Sequence, residues 1–463
     1  MGGDLPLVAP RVTVVAPSAM GGDVVQVLKV RGMEARTAPE PDSQDAEIIA
    51  WALAEPPDLA AASTIAAAQR QSEQPLLLLC PPLRKTGRGT VDRAAAAAYL
   101  RSFGVAIFDD PDAWIEAIVL VALHGAPRGS RVAIVAEPGT WLEASALALG
   151  GDGARPPLSS QLTSIEPTDA VLVDARDAPP ATALLAMIVP VCPRAELSAS
   201  PRWLCGVPAA VRAVSITGGA VERAALGRGP APRTASAELE IDQPRLERQL
   251  GKIGRLERRL GDHETKVLLA AYGVPITRQA VATTPSAAVG LAKRVGYPVD
   301  IKPWGSDLPS ETAGCPVEAN LDTAAAVRRA FSAVLTGRTD PEPAVIVREA
   351  PPPGRELSAR IAPLPCVGLT VVVEAPGQAP AAAPAPLRLA DAQALASHLV
   401  ASRAGEPEPD RVALANLLRR ASHLVADHPS RIAALELSRI VVGSRGDRTL
   451  VIDAALHLTD SRA

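Results

Sequence analysis

Strand-like and helix-like patterns alternate through the first 230 residues and then give way to an α–β–β order, which predicts an α/β chain with an α+β end: two parallel-sheet modules followed by a domain of another kind. Three observations carry this. Short β-branched runs such as residues 12–16 fit strands buried on both faces. Amphipathic stretches of helical period follow them at βαβ spacing. A Pro/Gly/polar connection at residues 229–236 marks the place where the order changes.

In the first module the strand at 12–16 runs into the turn Gly21-Gly22-Asp23, which opens a helix ending near Gly32. Further strands are expected at 76–80 and 105–108, with helices at 93–101 and 112–123. Residues 131–136, 170–174 and 187–191 repeat the plan as strands, and the stretch 206–215 echoes 104–114. The two stretches, 1–127 and 128–230, therefore read as a degenerate duplication of a flavodoxin-like module. Residues 231–260 form a linker and a mixed-charge helix (245–260), whose interleaved Glu247 and Glu257 favour a solvated face over a nucleic-acid contact. In the third domain, 261–463, Asp262 is placed to cap a helix that Gly273 and Pro275 stop. Strands follow at 297–302, 345–349, 369–374, 434–442 and 450–453, with a helix at 410–427.

Composition excludes several classes of function. Aromatic residues are 2% of the chain and scattered, which leaves no base-stacking platform, and a net charge of −3 offers no general attraction to nucleic acid or membrane. No run approaches the roughly 20 apolar residues a bilayer span needs. The five cysteines show no paired spacing, so a disulfide framework is not expected and a reducing cytoplasm is. Cores in such a chain must be filled by Ala, Val and Leu.

The third domain carries a resemblance. Lys266 to Pro275, followed by Ala292 to Lys302, resembles the A-K-x-L-L-x-x-Y-G-I-P and A-x-x-I-G-Y-P-V-V-L-K stretches in the ATP-grasp domain of NDP-forming acyl-CoA synthetases. Residues 345–357 are similar to the family's V-L-V-Q-E-M-V-x-G-G-x-E-L, 433–442 stand in the place of E-L-D-I-N-P-L, and 451–454 in that of V-V-D-A. The preceding modules look like the succinyl-CoA-ligase-type flavodoxin domains of these enzymes. The resemblance implies two flavodoxin-like modules followed by an ATP-grasp domain that holds ATP and Mg²⁺ between two α+β halves. It implies Lys302 at the phosphates, Glu349 at the adenine hinge, Glu356 as a further nucleotide contact, and Glu436 with Ser438 at the metal.

Departures fall where chemistry is expected. Glu436 replaces the family's Asp, Ser438 its Asn, and Arg439 its Pro. The His-Lys pair of the phosphate loop is missing from residues 308–317, where Cys315 replaces a glycine and reads as a core filler rather than a nucleophile. A Pro/Ala-rich stretch at 373–386, read as a flexible or polyproline-like loop, replaces a glycine-rich segment. His124 is the one histidine in the first two modules available as a phosphoryl relay, and a helix-end histidine beside Gly125 reads as a simple C-cap. The basic loop Arg84 to Gly89 matches no P-loop and reads as solvated, and no CoA-binding Rossmann pattern is present. The sequence thus favours a degenerate, weakly nucleotide-binding relative working through a partner. The alternative is an active acid–CoA ligase that relies on a separate CoA-binding subunit; a homo-oligomer is also compatible.

Overall fold

A computed structural model describes residues 9–39, 47–82, 89–149, 156–159, 168–174, 187–193, 203–226, 239–253, 259–305, 308, 314–338, 343–400 and 407–459. The chain divides into two compact units, with the main boundary at Gly229/Pro230.

The first unit contains two parallel five-stranded sheets. In one, Arg11–Val15, Glu34–Thr37, Ile48–Ala52, Leu77–Leu79 and Ala106–Phe108 are arranged in the spatial order 2-1-3-4-5. In the other, Val132–Val135, Leu158–Ser159, Ala170–Asp174, Met187–Cys192 and Leu204–Cys205 take the same order. That is the flavodoxin-like winding, made twice. The echo between 206–215 and 104–114 does not survive at residue level. Gly104 precedes the last strand of the first sheet, whereas Gly206 follows the last strand of the second and caps its helix. A shared Gly-Val dipeptide carries no register when glycine is used for two different turns.

One hydrophobic core joins both sheets, running from Val12 and Leu77 through Trp114 and Ile118 to Ile134, Leu172 and Val214. The helices Pro111–His124 and Val207–Ala225 pack together in its middle. The indole of Trp114 is fully buried and donates to the Leu77 carbonyl at 2.9 Å. Elsewhere small residues let backbones approach: a Cβ on Gly218 would lie 1.8 Å from the Gly129 carbonyl oxygen. Close approach of this kind is what an aromatic-poor, Ala-rich composition permits.

A buried ion pair spans the two sheets of this unit. Arg31, at the C-cap of the first helix, meets Glu116 bidentately at 3.0 and 3.1 Å and donates to the Trp203 carbonyl at 2.6 Å. Glu116 in turn accepts from the Cys205 amide at 2.9 Å. Truncating one member of such a pair leaves the other charged and dry, a cost of about 3–5 kcal/mol. Glu116→Ala is therefore expected to lower urea stability by about that amount, while Arg31→Met/Glu116→Leu costs much less. A double variant as unstable as Glu116→Ala would show that the charges themselves are needed.

The second unit has two α+β halves. Its larger sheet is antiparallel, in the order Arg259–Leu260, Leu450–Leu458, Ile432–Val442, Arg355–Leu364, Gly368–Glu374, Ala381–Pro384. The helices Asp262–Ala271, Leu389–Leu399 and Arg411–Asp427 share its core. The smaller sheet, Gln279–Ala282, Val345–Glu349, Val299–Pro303 and Glu318–Leu321, packs on Pro285–Val295 and Ala324–Ala333.

Three expectations change here. Residues 373–386 are not a polyproline-like loop: Ala381–Pro384 is an edge strand paired with Thr370 to Val373, a position where proline's missing N–H is tolerated. The charged helix ends at Lys252, and Arg259–Leu260 is a strand; the helix is also not wholly solvated, because Leu246 and Leu250 are buried in the core. Asp262 does not cap its helix. Gly261 is the N-cap, and Asp262 is the first helical residue, its carboxylate turned elsewhere. The linker at 229–236 lies outside the described residues.

Candidate functional site

Between the two halves of the second unit lies a small open cleft, lined by Arg259, Asp262, Lys302, Cys315, Ile346 and Asp453 among others. Strand alternation explains who faces it. In Val299–Pro303, Val299 and Ile301 enter the small half's core, leaving Asp300 and Lys302 on the opposite side. In Leu450–Leu458, Val451, Ala454 and Leu456 enter the large core, and register shifts against the neighbouring strand around Arg439 accompany the turning of Asp453 toward the cleft.

Lys302, the residue expected at the phosphates, is 3% exposed and ion-paired. Its Nζ lies 2.7 Å from Asp453 Oδ1 and 3.1 Å from Asp262 Oδ2. Lys266, one helical turn after Asp262, donates to the same carboxylate at 3.1 Å, to Thr277 Oγ1 at 3.0 Å, to Gln279 Oε1 at 2.9 Å and to the Ile452 carbonyl. Burial drags the Lys266 ammonium down to about 8, partly offset by Asp262. Burial also acts against ionised Asp262, but Lys266, Lys302 and Arg348 outweigh it and hold the carboxyl at about 2. Arg348 completes the set: it pairs with Asp300 at 3.0 Å, directly opposite on the neighbouring strand, and donates to the Ile452 carbonyl at 2.9 Å. Three acids and three bases thus balance.

Asp262, Lys266, Asp300, Arg348 and Asp453 were not singled out as site residues by sequence reasoning. One signal was available. The family pattern quoted above has Val and Gln where this chain has Asp300 and Arg348, so two separate departures become one buried ion pair once the strands are set side by side.

The remaining candidates lie apart from this cluster. Glu349 accepts from the Arg278 amide and Nε at 2.8 Å and from both terminal nitrogens of Arg448 at 2.9 Å. Burial opposes its ionisation, yet Arg448 and Arg278 bring it down to about 2. Glu356 is half-exposed and held by Arg439 at 2.6 Å. Glu436 lies 3.4 Å from His457 Nε2, and Ser438 falls at the register shift between Leu437 and Arg439. For a divalent cation these positions offer one carboxylate, Glu436 beside the His457 imidazole, with a neutral hydroxyl at Ser438 and a guanidinium at Arg439 where the family has Asn and Pro. Among the described residues no three His, Cys, Asp or Glu side chains come together as a metal site.

Trp304 is half-buried with its Nε1 donating to Glu264 at 2.8 Å, and Tyr297 is 36% exposed. Cys315 is buried at the cleft. Residues 309–313 of the expected phosphate loop, and 84–88 of the basic loop, lie outside the described residues. His124 ends its helix, with Gly125 as C-cap at φ +87°.

Two outcomes follow. Asp300→Val or Arg348→Gln alone is expected to cost about 3–5 kcal/mol, and the pair together much less. Additive losses in a double-mutant cycle would overturn this. Glu349, whose carboxyl falls from 4.5 to about 2, contributes stability that is complete above pH 4.5 and lost as pH falls toward 2. Urea unfolding at stepped pH should therefore show a steeper acid loss in the wild type than in Glu349→Gln; equal slopes would exclude the linkage.

Residues 253–458 match the family described as ATP-grasp domain. Among curated proteins, the β subunit of the Pyrococcus furiosus ADP-forming acetate–CoA ligase II is 22% identical over 213 residues, covering 42% of this chain and 90% of the relative. Two solved structures are similar. Ca. Korarchaeum cryptofilum dinucleotide-forming acetyl-coenzyme A synthetase 1, in complex with coenzyme A, Ca-AMPCP and HgCl⁺, is 25% identical, with 44% of this chain and 95% of that one covered and a TM-score of 0.40. The Pyrococcus horikoshii Ot3 protein PH1788 is 21% identical, with 47% and 99% covered and a TM-score of 0.43. Neither superposition bears on function at those scores. The domain match and the ordered motifs do agree with each other: residues 253–458 match an ATP-grasp domain and are similar to those of the ADP-forming acyl-CoA synthetase family.

Proposed function

We propose that this chain is a catalytically degenerate member of that family, one that binds nucleotide weakly and acts through a partner rather than by its own turnover. The observations that carry the reading are the added Asp300–Arg348 ion pair on the Lys302 strand and its neighbour, and Ser438 with Arg439 in the expected metal strand, since Lys302 and Asp453 themselves match the family motifs. Glu349 and Glu356, the other expected nucleotide contacts, are both engaged by arginines. The sequence departures at Ser438, Arg439 and the 308–317 loop point the same way.

A second reading has one observation in its favour. The Pyrococcus furiosus relative is a β subunit, so this chain would need a separate subunit to supply CoA and a relay histidine for ligase activity. Calorimetry with ATP and Mg²⁺ separates the two. The degenerate reading expects little or no heat below millimolar ATP, unchanged in Lys302→Ala. Micromolar binding abolished by Lys302→Ala would reject it. So would acyl-CoA formation from ATP, CoA and short acids by the chain alone.

A further inference from the structure

We infer that the Asp300–Arg348 pair closes the base end of the cleft, so that the cleft discriminates against the nucleoside part of a nucleotide and leaves its phosphate end unchanged. The inference rests on the reading of this cleft as the nucleotide's place, with phosphates at Lys302 and the base toward the strand end at Glu349. Antiparallel register puts the pair between those two points. Lys302 lies opposite Ile346, Asp300 opposite Arg348, and Val299 opposite Glu349. Side chains two apart on a strand share a face, so Asp300 and Arg348 continue the face of Lys302 and Ile346, about 7 Å further along. Lys302 and Ile346 line the cleft, whereas Asp300 and Arg348, 2% and 0% exposed, lie outside its lining. The opening ends where the pair begins.

The pair is a crosspiece between the two halves. Arg348 Nη2 donates to Asp300 Oδ2 at 3.0 Å, and its Nη1 reaches the Ile452 carbonyl of the large sheet at 2.9 Å. Asp300 Oδ1 accepts from the Asn320 amide at 2.9 Å, where the pairing with the neighbouring strand shifts register and Asn320 takes φ +53°. Both side chains are therefore anchored to backbone as well as to each other. A purine needs largely apolar walls with a few polar groups placed along its edge. A base entering here would have to part the pair and leave two charges dry. The Val and Gln that the family pattern carries at these positions bring no charge to bury. At the phosphate end Lys302 and Asp453 match that pattern. The departure is thus selective: it takes away room for the base and leaves the groups that meet phosphate.

The test compares ligands that differ in the nucleoside. ATP and inorganic tripolyphosphate, each with Mg²⁺, are titrated by calorimetry into the full-length chain and into Asp300→Val/Arg348→Gln. The double substitution keeps the net charge, so a gain in affinity is not a general attraction for anions. ATP is expected to bind at least tenfold tighter to the double variant, with tripolyphosphate changed by less than twofold. ATP affinity that does not improve, undetected binding in both proteins included, overturns the closed base end. An equal gain for both ligands overturns it too, because that reports a cleft loosened throughout. Should the double variant fail to fold, Asp300→Asn/Arg348→Met, nearer in shape, poses the same comparison. Micromolar ATP binding by the wild type rejects the degenerate reading, whereas the closed base end is judged on how ATP and tripolyphosphate change between the two proteins.

Discussion

A lysine shared by two aspartates holds the second unit together at its centre. Lys302 comes from the small sheet, Asp453 from the large one, and Asp262 from the first turn of the helix that packs beneath the large sheet. Ion pairs of this kind are expensive to dehydrate and add little stability over a well-packed apolar core. Their effect is on geometry: any sliding of one sheet against the other leaves a charge buried without its partner. The cleft's shape and the register of the strands around it depend on that arrangement.

The first unit uses the same device for a different purpose. Arg31 and Glu116 tie two separately wound sheets into one core, with the Trp203 carbonyl and Cys205 amide completing the bonds. In a chain with 2% aromatic residues, cores built of Ala, Val and Leu pack closely but distinguish poorly between alternative packings. Buried hydrogen-bonded charges supply direction that small apolar side chains lack. Both units place such a pair where independent sheets must be aligned.

The added ion pair shapes the functional reading. Each cation of the cluster has a carboxylate at hydrogen-bonding distance. Asp300 and Arg348 sit where the family pattern carries a valine and a glutamine, so the added charges arrive as a matched pair and not as two independent losses.

Much of the fold was legible in the sequence because its signals are local. Alternation of strand and helix, the stop at Gly273 and the strand ending in Lys302 all follow from periodicity and turn chemistry. What those signals could not carry was partnership. The sequence marks Lys302 as a strand-end lysine, but its neighbours in space are 40 and 151 residues away, and only the pairing of sheets brings them together. Asp262 reads locally as a cap and serves as a long-range ion partner. The Pro/Ala-rich stretch 381–384 reads as a loop and becomes a strand because a hydrogen-bonding edge was waiting for it. Sequence alone determined the alternation of strand and helix along most of the chain and the family pattern that its third domain resembles. The tertiary structure decided which charges meet, because a buried ion pair is specified by the packing of distant elements and leaves no periodic trace in either segment.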